Sequence, residues 1–94
     1  MILSFGDKLT MAVFERTYVK TLSPDLQRAA LRKLEILNAA LSLDDLRVPP
    51  GNRLEKLSAD REGQYSIRIN GQYRVCFKWK EGNAYDVEIT DYHA

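Results

Sequence analysis

The sequence predicts an α+β domain, with a short N-terminal strand and a helical hairpin packed on one face of an antiparallel sheet. Three observations lead there. Apolar residues recur at intervals of three and four between positions 24 and 41, the period of an amphipathic helix. From position 53 onward the period falls to two, as in strands with one buried face. Pro49-Pro50-Gly51 separates the two regimes, and such a cluster ends helical structure.

Residues 2–5 (ILSF) read as a short edge strand, because the run is apolar and partly β-branched or aromatic. Asp7 is a good N-cap for a helix over 8–17, with Leu9, Val13 and Phe14 toward the core. The second helix has stronger signals. Ser23 can cap it, and Pro24 suits its first turn, where the missing N–H is not needed. Leu26, Ala30, Leu34, Leu37 and Leu41 form its core stripe. Residues 42–46 are a turn or short helical extension.

Past the prolines, 53–57 reads as a strand with a bend near Lys56, because Leu54 and Leu57 fall on opposite parities. Tyr65, Ile67 and Ile69 alternate with polar residues, as do Tyr73, Val75, Phe77 and Trp79, and then Tyr85, Val87 and Ile89. Residues facing each other across antiparallel strands share a side of the sheet. A three-residue loop at 69–71 pairs Ile67 with Tyr73 and Tyr65 with Val75. A loop at 81–83 pairs Trp79 with Tyr85, Phe77 with Val87 and Val75 with Ile89. It also sets Lys78 beside Asp86, Cys76 beside Glu88 and Arg74 beside Thr90. One face is then apolar and covered by helices, and the other is polar and open. The aromatics fall on the apolar side, so they are core residues and not a base-stacking platform.

The 94 residues suit one domain, 1–94, that buries roughly 60–65% of its unfolded surface. The opening MILSFGDK has no leader-like apolar run, and no stretch of 18 apolar residues occurs. A cytoplasmic protein that does not cross a membrane is expected. The single cysteine, Cys76, cannot form an internal disulfide, and no Cys/His cluster has metal-ligand spacing. No cofactor is expected.

Net charge is only +1, but residues 47–80 carry +5 and the remainder −4. Arg53, Lys56, Arg61 and Arg68 are the candidates for binding nucleic-acid phosphate in that basic segment, since a local field attracts phosphate whatever the total charge. A solvated face with compensating acids is the plainer alternative. His93 is the only histidine, hence the only side chain whose ordinary pKa lies near neutrality. It follows Asp91 and Tyr92, on a strand whose register lies beside Arg74. A guanidinium offers a rigid fork of donors for phosphate oxygens.

Three segments make the chain resemble a known family: LRVPPGNRLEKL (46–57), DREGQYSIRINGQYRVCFKW (60–79) and VEITDYH (87–93). It is similar to the HigB group of the RelE/ParE toxin superfamily, toxins of bacterial type II toxin–antitoxin pairs, and the resemblance runs nearly end to end. That resemblance implies a RelE/ParE-like fold and a ribosome-dependent endoribonuclease that cleaves translated messenger RNA. The nucleic acid bound by Arg53, Lys56, Arg61 and Arg68 would then be RNA. It implies a HigA-like antitoxin with a helix-turn-helix domain, through which the complex reaches operator DNA. Arg74, Asp91, Tyr92 and His93 match the family's catalytic positions. The implied chemistry is attack of a ribose 2′-hydroxyl on the adjacent phosphate, giving a 2′,3′-cyclic phosphate without a metal. Arg74 would stabilise the charged transition state and His93 would transfer a proton. Tyr92 would position a base or phosphate, and Asp91 would orient His93 or take a proton itself.

The sequence departs from this pattern at one place. Where a lysine precedes the turn in the family, this chain has Ser58-Ala59-Asp60. Ser58 carries no charge, and Lys56 would compensate only if its stem reached the pocket. A non-catalytic or weakly active homologue that binds an antitoxin, and a ParE-like gyrase inhibitor, are the alternatives.

Overall fold

The structure, a computed structural model, describes residues 1–92. Helices α1 (Lys8–Phe14) and α2 (Pro24–Ala39) precede strands β1 (Glu55–Lys56), β2 (Gln64–Arg68), β3 (Tyr73–Lys80) and β4 (Asn83–Asp91). The strands form one antiparallel sheet in the order β1-β2-β3-β4. Ile2 and Phe5 form isolated parallel bridges to Ala84 and Val87. The N-terminal segment thus occupies the expected edge, beside β4, without becoming a full strand.

The expected caps are present. Asp7 accepts from the Thr10 N–H, and Ser23 accepts from the Leu26 N–H. Helix α1 stops three residues before the expected 17, in a Schellman motif. Arg16 takes a positive φ of 63°, and its N–H donates to the Val13 carbonyl while that of Thr17 donates to Ala12. Helix α2 buries Leu26, Ala30, Leu34 and Leu37. Leu41 is not part of that stripe; it is 84% exposed. The Asp45 carboxylate accepts from the Leu41 and Ser42 N–H groups and turns the chain there. Residues Leu43–Arg47 then form the short helical extension, a 3₁₀ turn.

The helices pack on the face that carries Ile67, Val75, Phe77, Ala84 and Val87, and together they form the core. Thr10 adds a polar tie, because its buried hydroxyl accepts from the Ile89 N–H.

Both hairpins correct the expected registers. In the first, Ile67 faces Val75 and Tyr65 faces Phe77, two residues on from the expected pairing. The cause is Asn70, whose side-chain carbonyl accepts from the Gln72 and Tyr73 N–H groups and centres the loop on 70–72. A two-residue slip keeps every side chain on its face, but it sets Arg68 directly opposite Arg74.

In the second hairpin, Val75–Ile89, Cys76–Glu88 and Arg74–Thr90 pair as expected. Nearer the turn they do not: Trp79 faces Ala84, and Lys78 faces Tyr85. Glu81 and Gly82 both have positive φ, 52° and 80°, so a two-residue turn replaces the loop at 81–83. A β-bulge between Cys76 and Lys78 takes up the difference. Asp86 is its extra residue, at φ 51°. Ala84 is therefore buried in the core, and Tyr85 leaves it for the polar side. The Lys78–Asp86 ion pair survives the shift at 3.2 Å.

The polar face is not open, as expected, but covered at its centre. Ser66 and Cys76 are fully buried there, and Arg74 is 9% exposed. Side chains cover them: Arg74 bonds Ser66, the Tyr92 hydroxyl reaches Cys76, and Arg61 bonds Glu88. The strand expected at 53–57 shortens to Glu55–Lys56 at the sheet edge, after Arg53 turns with φ 45°.

Candidate active site

Arg74 sits mid-sheet, with its guanidinium tied down on one side. Nε donates to Ser66 Oγ at 2.7 Å, and Nη2 donates to the backbone carbonyls of Arg53 (2.5 Å) and Ser66 (3.4 Å). These bonds fix the plane of the group. Nη1 is held more loosely, 3.9 Å from a Glu55 carboxylate oxygen. That edge faces a pocket of about 270 Å³ lined by Arg53, Glu55, Arg68, Asn70, Gly71, Gln72, Arg74 and Tyr92. Arg68 lines the same wall, across the strand pair. Two like charges directly opposite on a sheet repel, so an anion bound between them is favoured.

Tyr92 closes the pocket on the β4 side. Its N–H donates to the Gln72 carbonyl at 2.7 Å, and its hydroxyl lies 3.6 Å from Cys76 Sγ. The ring edge is exposed, but the hydroxyl is turned inward. Burial, and then the Cys76 contact, push its pKa up to about 12, although the nearby Arg61 and Arg74 pull the other way. Tyr92 is therefore a neutral phenol at neutral pH, able to donate a hydrogen bond and unsuited to act as a base.

The proton is retained more strongly in the folded chain than in the unfolded one. The stability it contributes is present below pH about 10 and is lost as pH rises toward 12. Subtracting the alkaline absorbance titration of Tyr92→Phe from that of the parent should leave one phenol with a midpoint near 12. A midpoint near the ordinary value of about 10 would show that the hydroxyl is not seated on Cys76.

The other candidates divide. Arg53 and Arg68 belong to the pocket wall. Arg61 does not; its Nη1 donates to Glu88 at 2.5 Å and to Gln64 at 3.2 Å. The Glu88 bond raises its pKa further and offsets its charge. Lys56 faces Tyr65, on the opposite parity from Glu55 and Ser66. It thus lies on the other side of the sheet from Arg74 and is not placed to compensate for Ser58. Asp91 faces Tyr73 at the end of β4, and its carboxylate accepts from Gln72 Nε2 at 3.1 Å. It does not line the pocket and has the opposite parity from Arg74, but it holds Gln72, which does line it. His93 lies outside the described residues.

Three participants were not singled out from sequence: Glu55, Ser66 and Asn52. The parity of Glu55 on a strand beside Ser66 is the one signal that could have placed it with Arg74. Asn52 is fully buried. Its amide donates to the carbonyls of Leu46 (3.2 Å) and Val48 (3.3 Å), and its oxygen accepts from Lys33 Nζ at 2.5 Å. It thereby fixes the chain just before Arg53, whose carbonyl holds Arg74. Among the described residues, no group of three or more His, Cys, Asp or Glu side chains could hold a metal ion.

A helical pair packs on a short antiparallel sheet, with an arginine-walled pocket at the end of the last strand, an arrangement suited to binding a phosphate. Residues 3–93 match the family model described as the RelE-like toxin of the type II toxin–antitoxin system HigB. Toxin HigB-1 of Vibrio cholerae is 46% identical over 85 residues, covering 89% of this chain and 90% of that protein. Endoribonuclease HigB of Proteus vulgaris is 31% identical over 94 residues, covering 99% and 100%. The fold is also that of a chain in the YoeB–YefM complex from Staphylococcus aureus, with a TM-score of 0.63 at 15% identity, covering 100% of this chain and 99% of the other. The chain belongs to the HigB-like toxin family of type II toxin–antitoxin systems.

Proposed function

We propose that this chain is a single-domain, ribosome-dependent endoribonuclease that cleaves translated messenger RNA, and that a HigA-like antitoxin holds it in check. The observation that carries the reading is the anion pocket: Arg74, fixed by Ser66 and the Arg53 carbonyl, faces Arg68 across β2 and β3 beside Tyr92. A relative aligned along its whole length is named an endoribonuclease, which supports the same chemistry. Among the described residues, no helix is long and apolar enough to cross a membrane; action in the cytoplasm is part of the proposal. The antitoxin would carry the operator-DNA binding.

In this reading a backbone phosphate enters beside Arg74 Nη1 and displaces the loose Glu55 contact. The ribose 2′-oxygen attacks that phosphorus in line, and its proton passes to a base. The bond to the 5′-oxygen breaks, and that oxygen leaves as a hydroxyl after taking a proton. A 2′,3′-cyclic phosphate remains, and no metal is required. Arg74 and Arg68 offset the charge that builds on the equatorial oxygens. Tyr92 donates a hydrogen bond or stacks on a base. His93, which follows Tyr92 in the sequence, is the proton-transfer group, and the role of Asp91 is to orient its imidazole or share its proton. A histidine directly after Tyr92 in the sequence supports the nuclease reading over a ParE-like gyrase inhibitor, which would need no proton-transfer histidine.

The test is cleavage of a defined message on programmed ribosomes, with the ends mapped. Cuts in codon register bearing cyclic phosphate ends are expected, slowed about 10²-fold when His93 is replaced by glutamine. Equal cutting of free RNA would point to a ribosome-independent nuclease. No cutting would leave an inactive antitoxin-binding homologue, and gyrase-linked DNA damage would select the inhibitor reading.

A further inference from the structure

The cations around the pocket do not stop at its wall. Lys33 reaches from α2 to bond Asn52 Oδ1, the residue next to Arg53. Arg32 precedes it on the exposed side of the same helix. Burial, and then Arg32 and Arg68, lower the Lys33 pKa, as expected when three cations crowd one place. Among the described residues, no carboxylate lies within ion-pair distance of Arg32, Lys33, Arg53 or Arg68, whereas Arg16, Arg28, Arg47 and Arg61 each have one. Natural surfaces usually intersperse the two signs, so an unneutralised cluster beside an arginine-walled pocket is a feature with an anionic ligand to match.

We propose that Arg32 and Lys33 carry the pocket's cationic wall around the sheet edge onto α2 and bind a second stretch of RNA backbone, beyond the phosphate held at Arg74. This rests on the nuclease reading but adds to it a track on the helix. RNA phosphates are the shared chemistry, and they come either from the message strand flanking the cut or from the ribosome's own RNA.

The experiment measures affinity against salt for the full chain, using two probes: an uncleavable 2′-O-methyl single-stranded oligonucleotide, and vacant ribosomes without message. The variant is Arg32→Gln/Lys33→Gln. Glutamine at 33 retains a donor for Asn52, and thermal melting verifies the fold. Arg28→Gln, on the same helix but already paired with Asp25, is the control.

Two lost phosphate contacts should flatten the log–log salt slope by about 1.4 on a single strand. Between 50 and 200 mM salt the parent should then lose about sevenfold more affinity than the variant. Flattening with the oligonucleotide assigns the track to the message. Flattening with vacant ribosomes alone assigns it to ribosomal RNA. Unchanged slopes on both probes, or equal flattening by Arg28→Gln, overturn the proposal. The parent's cleavage is scored separately. A parent that binds through Arg32 and Lys33 yet never cuts programmed ribosomes would remove the nuclease reading and leave the track standing.

Discussion

Arg74→Ala is expected to lower message cleavage by about 10³-fold and to destabilise the chain as well. The first effect follows from removing a preorganised donor aimed at developing phosphate charge, which costs about 10²–10³ in rate for a single donor. Arg74 presents such a donor through Nη1 and holds the pocket in shape through its other nitrogens. The second effect follows from the fully buried Ser66 Oγ, which loses its partner where water does not replace it. Such a stranded acceptor costs about 1–3 kcal/mol.

Arg74→Lys separates the two effects. An ammonium retains the charge, but it cannot satisfy Ser66 and Arg53 while offering a second edge to phosphate. Its melting temperature should lie between those of the parent and Arg74→Ala, while its cleavage should stay close to that of alanine. Cleavage by Arg74→Ala within tenfold of the parent, in protein shown to be folded, would remove Arg74 from the chemistry and leave it a clamp for the 52–55 segment.

That dual role was only half legible in the sequence. The parities of β2 and β3 put Arg68 and Arg74 on the polar face, and the Asn70-Gly71 loop preserves that relation although its register moves by two. What parity could not show is that the face is covered. The segment that holds Arg74 in place there has almost no regular structure: a 3₁₀ turn, a left-handed Arg53 and a two-residue strand. Its path is set by Asn52 bonding to Leu46, Val48 and Lys33, contacts that no period announces. Lys56 and Arg61 were placed with the RNA-binding group on charge alone. One faces the other side of the sheet, and the other is held by Glu88. Net charge along a segment locates a basic region, but only geometry says which charges are already offset. The end of α1 was hidden for a similar reason: its left-handed C′ position is an arginine, where a glycine would have marked the stop.

The bulge at Asp86 gives the fold its sharpest quantitative test, because it decides which aromatic rings are core. In an uninterrupted register Tyr85 and Phe77 lie on the same apolar face, and truncating either costs much the same. In the observed register Phe77 is fully buried against Tyr65 and Trp79, with ring centroids 6.2 and 6.3 Å away, whereas Tyr85 stands across from Lys78. Phe77→Ala should therefore cost about 3–5 kcal/mol. At about 0.05–0.15 kcal/mol per residue, the whole 94-residue chain is stable by only about 5–14 kcal/mol. The variant should melt at least about 12 °C lower. At the lower end of that range it should not fold without its antitoxin. Tyr85→Ala should cost less than about 1 kcal/mol, the scale of a cross-strand pair at a half-exposed position. Urea unfolding of the two variants beside the parent measures both values. Comparable losses would mean that β4 runs without its bulge and that Ala84 is not the residue in the core. Such a strand would also release the Ser4 contacts, since the Ser4 hydroxyl accepts from the Asp86 N–H and its carbonyl from that of Val87. The N-terminal segment would then lose its dock on the sheet edge.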